Sequence, residues 1–268
     1  MNHDIQSPLV IGRGMHSARG LRVLALLTSA AVLGGCASFT PDGGFGAVER
    51  TTKERIGKDL QWARGEADLD VVANRVAELL AKPLTVDDAV QVALLNNRGL
   101  QAGFQELGIT EAEVVQAGRL PNPGFSFGRN SRGDEREIER GLHFNLARLV
   151  AMPLIGRMEA RRFEQVKGRL SMSVLSLAAD TRKAYFTALA AEETVRYMRQ
   201  VKQAADASAE LARRMEQVGN FSKLQQAREQ SFYADAALAL AQAQQQQLAA
   251  RERLTRLMGL WGPQAQFV

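Results

Sequence analysis

Few side chains in this 268-residue sequence are equipped for chemistry. There is one cysteine, Cys36, and three histidines, too few for an intrachain disulfide framework, a zinc site or a multi-histidine metal centre. No nucleophile stands in a motif with a base beside it, and there is no Gly-x-x-x-x-Gly-Lys phosphate loop. His143 reads as a residue on a strand face. Met152, Met158, Met172, Met198, Met215 and Met258 are scattered as helix-packing residues are, rather than gathered as soft-metal ligands. The sequence therefore points away from an enzyme and requires no cofactor or resident metal. Cys36 is the exception. Its thiol directly follows Leu33-Gly34-Gly35 at the end of an apolar run.

That context defines an address. Arg13, Arg19 and Arg22 form a positive region ahead of Val23-Leu24-Ala25-Leu26-Leu27, and residues 1–35 read as a secretory signal. Met15 as the start would leave a signal of more usual length. Leu33, Gly34, Gly35 and Cys36 resemble the bacterial lipobox, which makes Cys36 the lipidated first residue of the mature chain. Ala37 follows in place of the aspartate of inner-membrane retention signals, so outer-membrane sorting is the expectation. Removal of residues 1–35 takes three arginines and Asp4 with it and lowers the net charge from +5 to +3. With acidic and basic residues interleaved, nucleic acid is not an expected partner.

The elements that would carry such an anchor are helical. Alanine supplies 40 residues and glutamine 20, while aromatics reach only 6%, which favours long Ala-lined helices over one large core. No run of 18 apolar residues occurs, so no membrane-spanning helix is expected in the mature chain. Ala37 to Gly46 reads as a flexible tether. A helix is expected over 69–80, with Leu69, Val72, Val76, Leu79 and Leu80 on one face. Thr85 is the expected N-cap of the next helix, with Asp87 and Asp88 at its positive end. An interruption at 96–99 and a second helix to about 118 follow. Pro121-Asn122-Pro123 ends it. Alternation then predicts strands near 123–129 and 138–148 around a charged loop at 129–137, with Leu142, Phe144 and Leu146 on one face. An isolated hairpin is not stable in water, so something must cover it.

From Pro153 to Pro263 there is no proline, and the pattern is a helical hairpin with arms near 157–218 and 222–258, broken at Val218-Gly219-Asn220-Phe221. Gly219 is the expected left-handed cap and Ser222 the next N-cap. Phe163, Leu170, Leu177, Ala184, Ala191, Met198, Ala205 and Ala212 recur every seven residues, and Val174, Thr181, Ala188, Val195 and Ala209 fill the offset-by-four positions. On the return arm Ala234, Leu238, Ala241 and Leu248 are the expected apolar face, with Gln244 to Gln247 on wet or inter-subunit faces.

The order of these features resembles the TolC-like outer-membrane efflux protein family, lipoprotein branch. The carrying residues are Leu84-Thr85-Val86-Asp87-Asp88-Ala89-Val90 with Ala93-Leu94-Leu95-Asn96-Asn97, then Leu120-Pro121-Asn122-Pro123 and Pro153-Leu154-Ile155-Gly156-Arg157. Asp180-Thr181-Arg182-Lys183-Ala184-Tyr185 and Arg214-Met215-Glu216-Gln217-Val218-Gly219 complete the match over about 84–262. Arg98 departs from the family's usual proline and should blur the first helix boundary. The family's packing of one long helix beside two short ones fits the lengths here, 62 residues against 21 and 37.

The resemblance implies a mainly α fold, a long antiparallel helical hairpin of the coiled-coil tunnel type, with a two-strand hairpin contributing to an oligomeric outer-membrane β-barrel. It implies a passive duct subunit of a tripartite efflux system, partnered by a periplasmic adaptor and an inner-membrane pump. Val218, Gly219, Asn220 and Phe221 would be the adaptor-docking tip. Residues 36–83 would be the lipidated tether and a periplasmic helical segment, 84–262 one efflux repeat, and 263–268 the end, where the family's second repeat would begin. Because lipid leaves no way to satisfy free strand edges, the expectation is about six copies, pairing with a second half-chain, or a truncated chain. The rival reading is a lipid-anchored periplasmic coiled-coil adaptor or scaffold with no pore.

Overall fold

The computed structural model describes residues 38–120, 122–132 and 135–267. The signal, Leu33, Gly34, Gly35 and Cys36 lie outside the described residues. The elements are α1 (Phe45–Ile56), α2 (Glu66–Leu80), α3 (Val86–Asn96), α4 (Arg98–Ala117), β1 (Gly124–Arg132), β2 (Glu135–His143), α5 (Leu146–Gln217) and α6 (Lys223–Leu257), with a final 3-10 turn at Gly262–Ala265. The chain forms two compact units, the larger of residues 40–111 and 160–268, the smaller containing 112–159 and the strands.

In the larger unit α5 carries the heptad seam. Phe163, Leu170, Ala184, Ala205 and Ala212 are buried at the seven-residue positions, and Val174, Thr181, Val195 and Ala209 at the offset ones. Val166 and Ala178 join them. The return arm is rotated from its expected face. Ala236, Ala243 and Leu254 are buried, whereas Ala234, Leu238, Ala241 and Leu248 are exposed, Leu248 at 70%. The physical reason is that one alanine differs little from another in apolar content, so an Ala- and Gln-rich helix has several faces of similar hydrophobicity. Lys202 Nζ over the Tyr233 ring and the 2.7 Å hydrogen bond that Ser208 Oγ donates to Glu229 Oε2 hold the arms in the observed rotation.

The short helices form the other half of the core. On α2, Val72, Val76 and Leu79 are buried with Ala89, Val92 and Ala93 of α3, Ala184 of α5 and Leu254 and Met258 at the end of α6. Leu69, in the first turn of the same helix, stays 48% exposed. Thr85 caps α3: its Oγ1 accepts from the Asp88 amide at 3.1 Å and donates to Asp88 Oδ2 at 2.7 Å. That hydroxyl, aided by Lys82, holds the Asp88 carboxyl below its ordinary range. We expect Thr85→Ala to cost about 1 kcal/mol. Because the folded-state pKa of Asp88 is lowered, its contribution is complete above the ordinary value of 3.8 and is lost as pH falls through the folded value. The wild-type advantage in thermal melts should therefore shrink in acid.

The first helix boundary is sharp despite Arg98. Asn97 has extended backbone, its amide donates to Ala93 O, and its Oδ1 accepts the Leu100 amide at 3.0 Å, capping α4. The same two asparagines clasp the end of α6. Asn96 Nδ2 donates to the carbonyls of Met258 (3.1 Å) and Gly259 (2.8 Å), and Asn97 Nδ2 to that of Leu257 (3.0 Å). The carbonyl of Leu257, the last residue of α6, and those of the two residues after it are thereby satisfied.

One expectation near the amino end is corrected. From Thr40 onward the expected tether is packed: Gly43 is buried and α1 begins at Phe45. Phe45 meets Phe104 edge-on at 5.1 Å, and Phe104 is fully buried. A polar, glycine-containing stretch reads as linker from composition, yet its backbone amides find partners here, Asp42 accepting from Gly44 and Gly46.

The smaller unit holds the hairpin. Its strands pair antiparallel from Gly124 with His143 to Arg132 with Glu135, so they run into the expected charged loop and leave a two-residue connection. Backbone pairing tolerates charged side chains on exposed strands. At the other end β2 stops at His143 rather than 148, and the long helix begins at Leu146 rather than 157. Asn145 is the reason: its Oδ1 accepts the Arg148 amide at 2.9 Å and starts the helix. Pro153 lies within α5, where its seven predecessors supply the first turns. Phe144 and Leu146 therefore leave the strand face on which alternation placed them.

Candidate functional site: the hairpin tip of the helices and the strand pair

The tip is built from a helix stop and a helix start placed back to back. At the end of α5 the Gly219 amide donates to Glu216 O (3.0 Å) and the Asn220 amide to Met215 O (2.8 Å), with Gly219 left-handed at φ +80°. This is the Schellman arrangement, which requires a residue free of a Cβ penalty at that position. Two residues on, Ser222 Oγ accepts the Gln225 amide at 3.2 Å, while Gln225 Oε1 accepts the Ser222 amide at 2.8 Å. The signals Gly219 and Ser222-x-x-Gln225 are both legible in the sequence.

The structure brings Val218, Gly219, Asn220 and Phe221 together in this turn. Val218, Gly219 and Asn220 are exposed, and Phe221 is half-buried. Its aromatic ring is thus not the main apolar group offered outward. Val218 (70%) and Leu224 (62%) are. Leu224 escaped sequence reading because it stands inside α6 rather than in the break. Just behind the tip Glu210 receives hydrogen bonds from Arg213 and Arg214 at 2.7 to 2.9 Å. These two guanidiniums lower its carboxyl to about 2, Arg213 contributing most.

The strand pair has two unlike faces. Across the ladder Phe125 stands opposite Leu142, Phe127 opposite Arg140 and Ile138 opposite Arg129. The alternate positions include Gly124, Ser126, Gly128, Asn130, Glu139, Gly141 and His143, small, polar or charged, with Ser126 Oγ and His143 Nε2 sharing a 2.9 Å hydrogen bond. His143 thus lies on a strand face. The apolar face is bare: Phe125, Phe127, Ile138 and Leu142 are each more than half exposed. Among the described residues no helix is long and apolar enough to cross a membrane, and no group of three or more His, Cys, Asp or Glu is placed to hold a metal ion.

Comparison with known proteins gives this arrangement its context. The cobalt-zinc-cadmium resistance protein CzcC of Cupriavidus metallidurans is 28% identical over 190 residues, which cover 69% of this chain and 44% of the relative. Among solved structures, the fold superposes on CusC (TM-score 0.55, 19% identity, 68% of this chain and 46% of the other). It also superposes on the Campylobacter jejuni CmeC outer membrane channel (TM-score 0.59, 17% identity, 68% and 42%). The chain spans less than half the length of each of these proteins. The model of the outer membrane efflux protein family matches residues 89–260, most of the chain, from α3 past the end of α6. With its single long helix, paired short ones and two-strand hairpin, the chain belongs to the outer membrane efflux protein family.

Proposed function

We propose that this chain is a duct subunit of a tripartite export system, passive in its own chemistry, working with a periplasmic adaptor and an inner-membrane pump. The carrying observation is the hairpin with one bare apolar face. Nine-residue strands are long enough to cross a bilayer when tilted, and an outward face of Phe125, Phe127 and Leu142 backed by glycine and serine suits a barrel wall. Arg129 lies on the turn side of the ladder's midpoint, whereas Arg140 stands opposite Phe127 on the same face near the middle, where its long side chain can snorkel toward the interface. The barrel closes as a homo-oligomer or by pairing with a second half-chain. Cys36, lipidated, anchors the chain to the outer membrane. Small molecules or metal ions are the cargo, and the name of the CzcC relative makes cobalt, zinc and cadmium the first ions to test.

The test is the fate of the hairpin in cells. The duct reading expects a heat-modifiable oligomer in outer membranes and protection of Arg129 and Arg140 from trypsin added to the periplasm. Phe125→Asp, which stands opposite Leu142 and not Arg140, should diminish both, since a charge on the lipid-facing side of a strand is destabilising. A periplasm-accessible hairpin without a heat-modifiable species would instead favour the poreless, lipid-anchored adaptor or scaffold.

The tip, Val218 to Phe221 with Leu224, is the proposed end-on docking surface for the adaptor. Gly219→Val should abolish adaptor crosslinking while leaving outer-membrane levels intact, because nothing lies within 4 Å of the added Cβ and only the backbone is strained. Unchanged crosslinking would remove the tip from the docking surface.

A further inference from the structure

Glu111 is one of four buried polar residues among those described, and the duct reading gives it no task. It is 5% exposed on α4, and its Oε1 accepts two hydrogen bonds from one residue, the Thr40 amide at 2.6 Å and the Thr40 hydroxyl at 2.5 Å. Thr40 itself is exposed, so a buried carboxyl holds a surface segment. The grip continues just beyond. Arg64 donates to the Asp42 carbonyl at 2.5 Å and stacks its guanidinium 3.9 Å from the Trp62 ring centre. Gly43 lies so close to that ring that a Cβ would stand 3.0 Å from it. The sequence separation of 71 residues between Thr40 and Glu111 shows that this is a tertiary device, not a local turn.

We propose that Glu111 is a positioning residue for the membrane anchor. It clamps the chain at Thr40, four residues from Cys36, and so fixes where the acyl chains leave the protein. An extended chain gains at most about 3.5 Å per residue, which confines an acylated Cys36 to within about 14 Å of the clamp. A free tether of the same composition beginning at α1 would allow a much wider search. The anchor then sets the height of the larger unit under the membrane, and a buried carboxyl with two donors resists release because an unpaired one is costly. The proposal rests on the reading of Cys36 as lipidated.

The test uses the full chain in cells and native membranes. With Cys36 acylated, Ser38→Cys offers the only free thiol for a nitroxide. In the wild-type background the probe should be restricted. Glu111→Ala should retain labelled palmitate but free the probe, and should raise proteolysis at residues 38–40 on the order of tenfold, as expected for two lost hydrogen bonds. Glu111→Gln keeps an acceptor oxygen and should restore restriction. A six-residue Gly/Ser spacer between Ala37 and Ser38 leaves the clamp intact, so the probe should stay restricted while trypsin protection of the hairpin falls. That spacer separates anchor position from fold stability and decides the matter even if Glu111→Ala fails to fold. A probe equally restricted in Glu111→Ala, or a spacer that leaves the hairpin fully protected, would overturn the proposal. Absence of palmitate on Cys36 would overturn the lipid reading instead, and the clamp is then read in a Cys36→Ser background, where Ser38→Cys is again the single thiol.

Discussion

Gly259→Ala should lower the thermal midpoint of helix loss by about 10 °C, a large effect for a single added methyl. Two penalties coincide. Gly259 has φ +67°, and its Cβ would stand 2.5 Å from the Asn96 carbonyl oxygen and 3.0 Å from its carbon, both backbone atoms that cannot swing aside. The left-handed conformation alone costs a side chain about 1–2 kcal/mol. Relieving the clash would also pull Asn96 from the carbonyls of Met258 and Gly259, at about 1 kcal/mol for each hydrogen bond lost. The sum, about 3–4 kcal/mol, converts at about 2–4 °C per kcal/mol for a chain of this size. Gly219→Ala is the control. Its φ of +80° is as unfavourable, but nothing lies within 4 Å of its Cβ, so only the backbone term, about 1–2 kcal/mol, remains. Far-ultraviolet circular dichroism melts of the two variants decide it. Equal losses would show that the approach of Asn96 to the end of α6 is not the limiting contact.

The second large effect is expected at Phe104. It is fully buried on α4 and receives the edge of Phe45 at 5.1 Å and 89°. Phe45 in turn lies 6.0 Å from Trp62. Phe104→Ala removes a whole buried ring and should cost about 3–5 kcal/mol. Phe186 offers the comparison. It also makes an edge-on aromatic pair, with Tyr185 at 5.5 Å, but is 52% exposed. Phe186→Ala should stay within about 1 kcal/mol, the scale of an aromatic pair without much burial. If the two variants melt alike, the α1–α4 cluster is not a main source of stability. Loss of Phe104 should also loosen Thr40 and the turn after it, because α1 would no longer be held against α4.

Much of the fold was legible from residue types alone, and each case has a local cause. Thr85, Gly219 and Ser222 announce helix ends because capping is settled within three or four residues. The seam of α5 was legible because it includes Phe163, Leu170, Val174 and Val195, whose burial far outweighs that of their neighbours. The seam of α6 was not. Ala234 and Ala236 are chemically alike, and only the partner helix, through Tyr233 and Glu229, selects which of them is covered. The start of α5 was misplaced for a related reason: Phe144 and Leu146 continue a strand pattern, and Asn145 overrides it by capping.

By itself, then, the sequence determined the class of structure: a proline-free helical hairpin with a glycine-marked tip, a short alternating strand pair, and a thiol behind a signal-like run. These follow from local backbone preferences and from the period of the apolar residues. Only the tertiary structure decided which alanine face is covered, why Asn96 and Asn97 stand together, and that the stretch after Cys36 is gripped from Thr40 onward. Each of those is a partnership between residues 20 or more positions apart, and Glu111 shows the reason most clearly. Nothing near it in the chain distinguishes it from any other helix glutamate, and its task exists only because folding lays Thr40 against it.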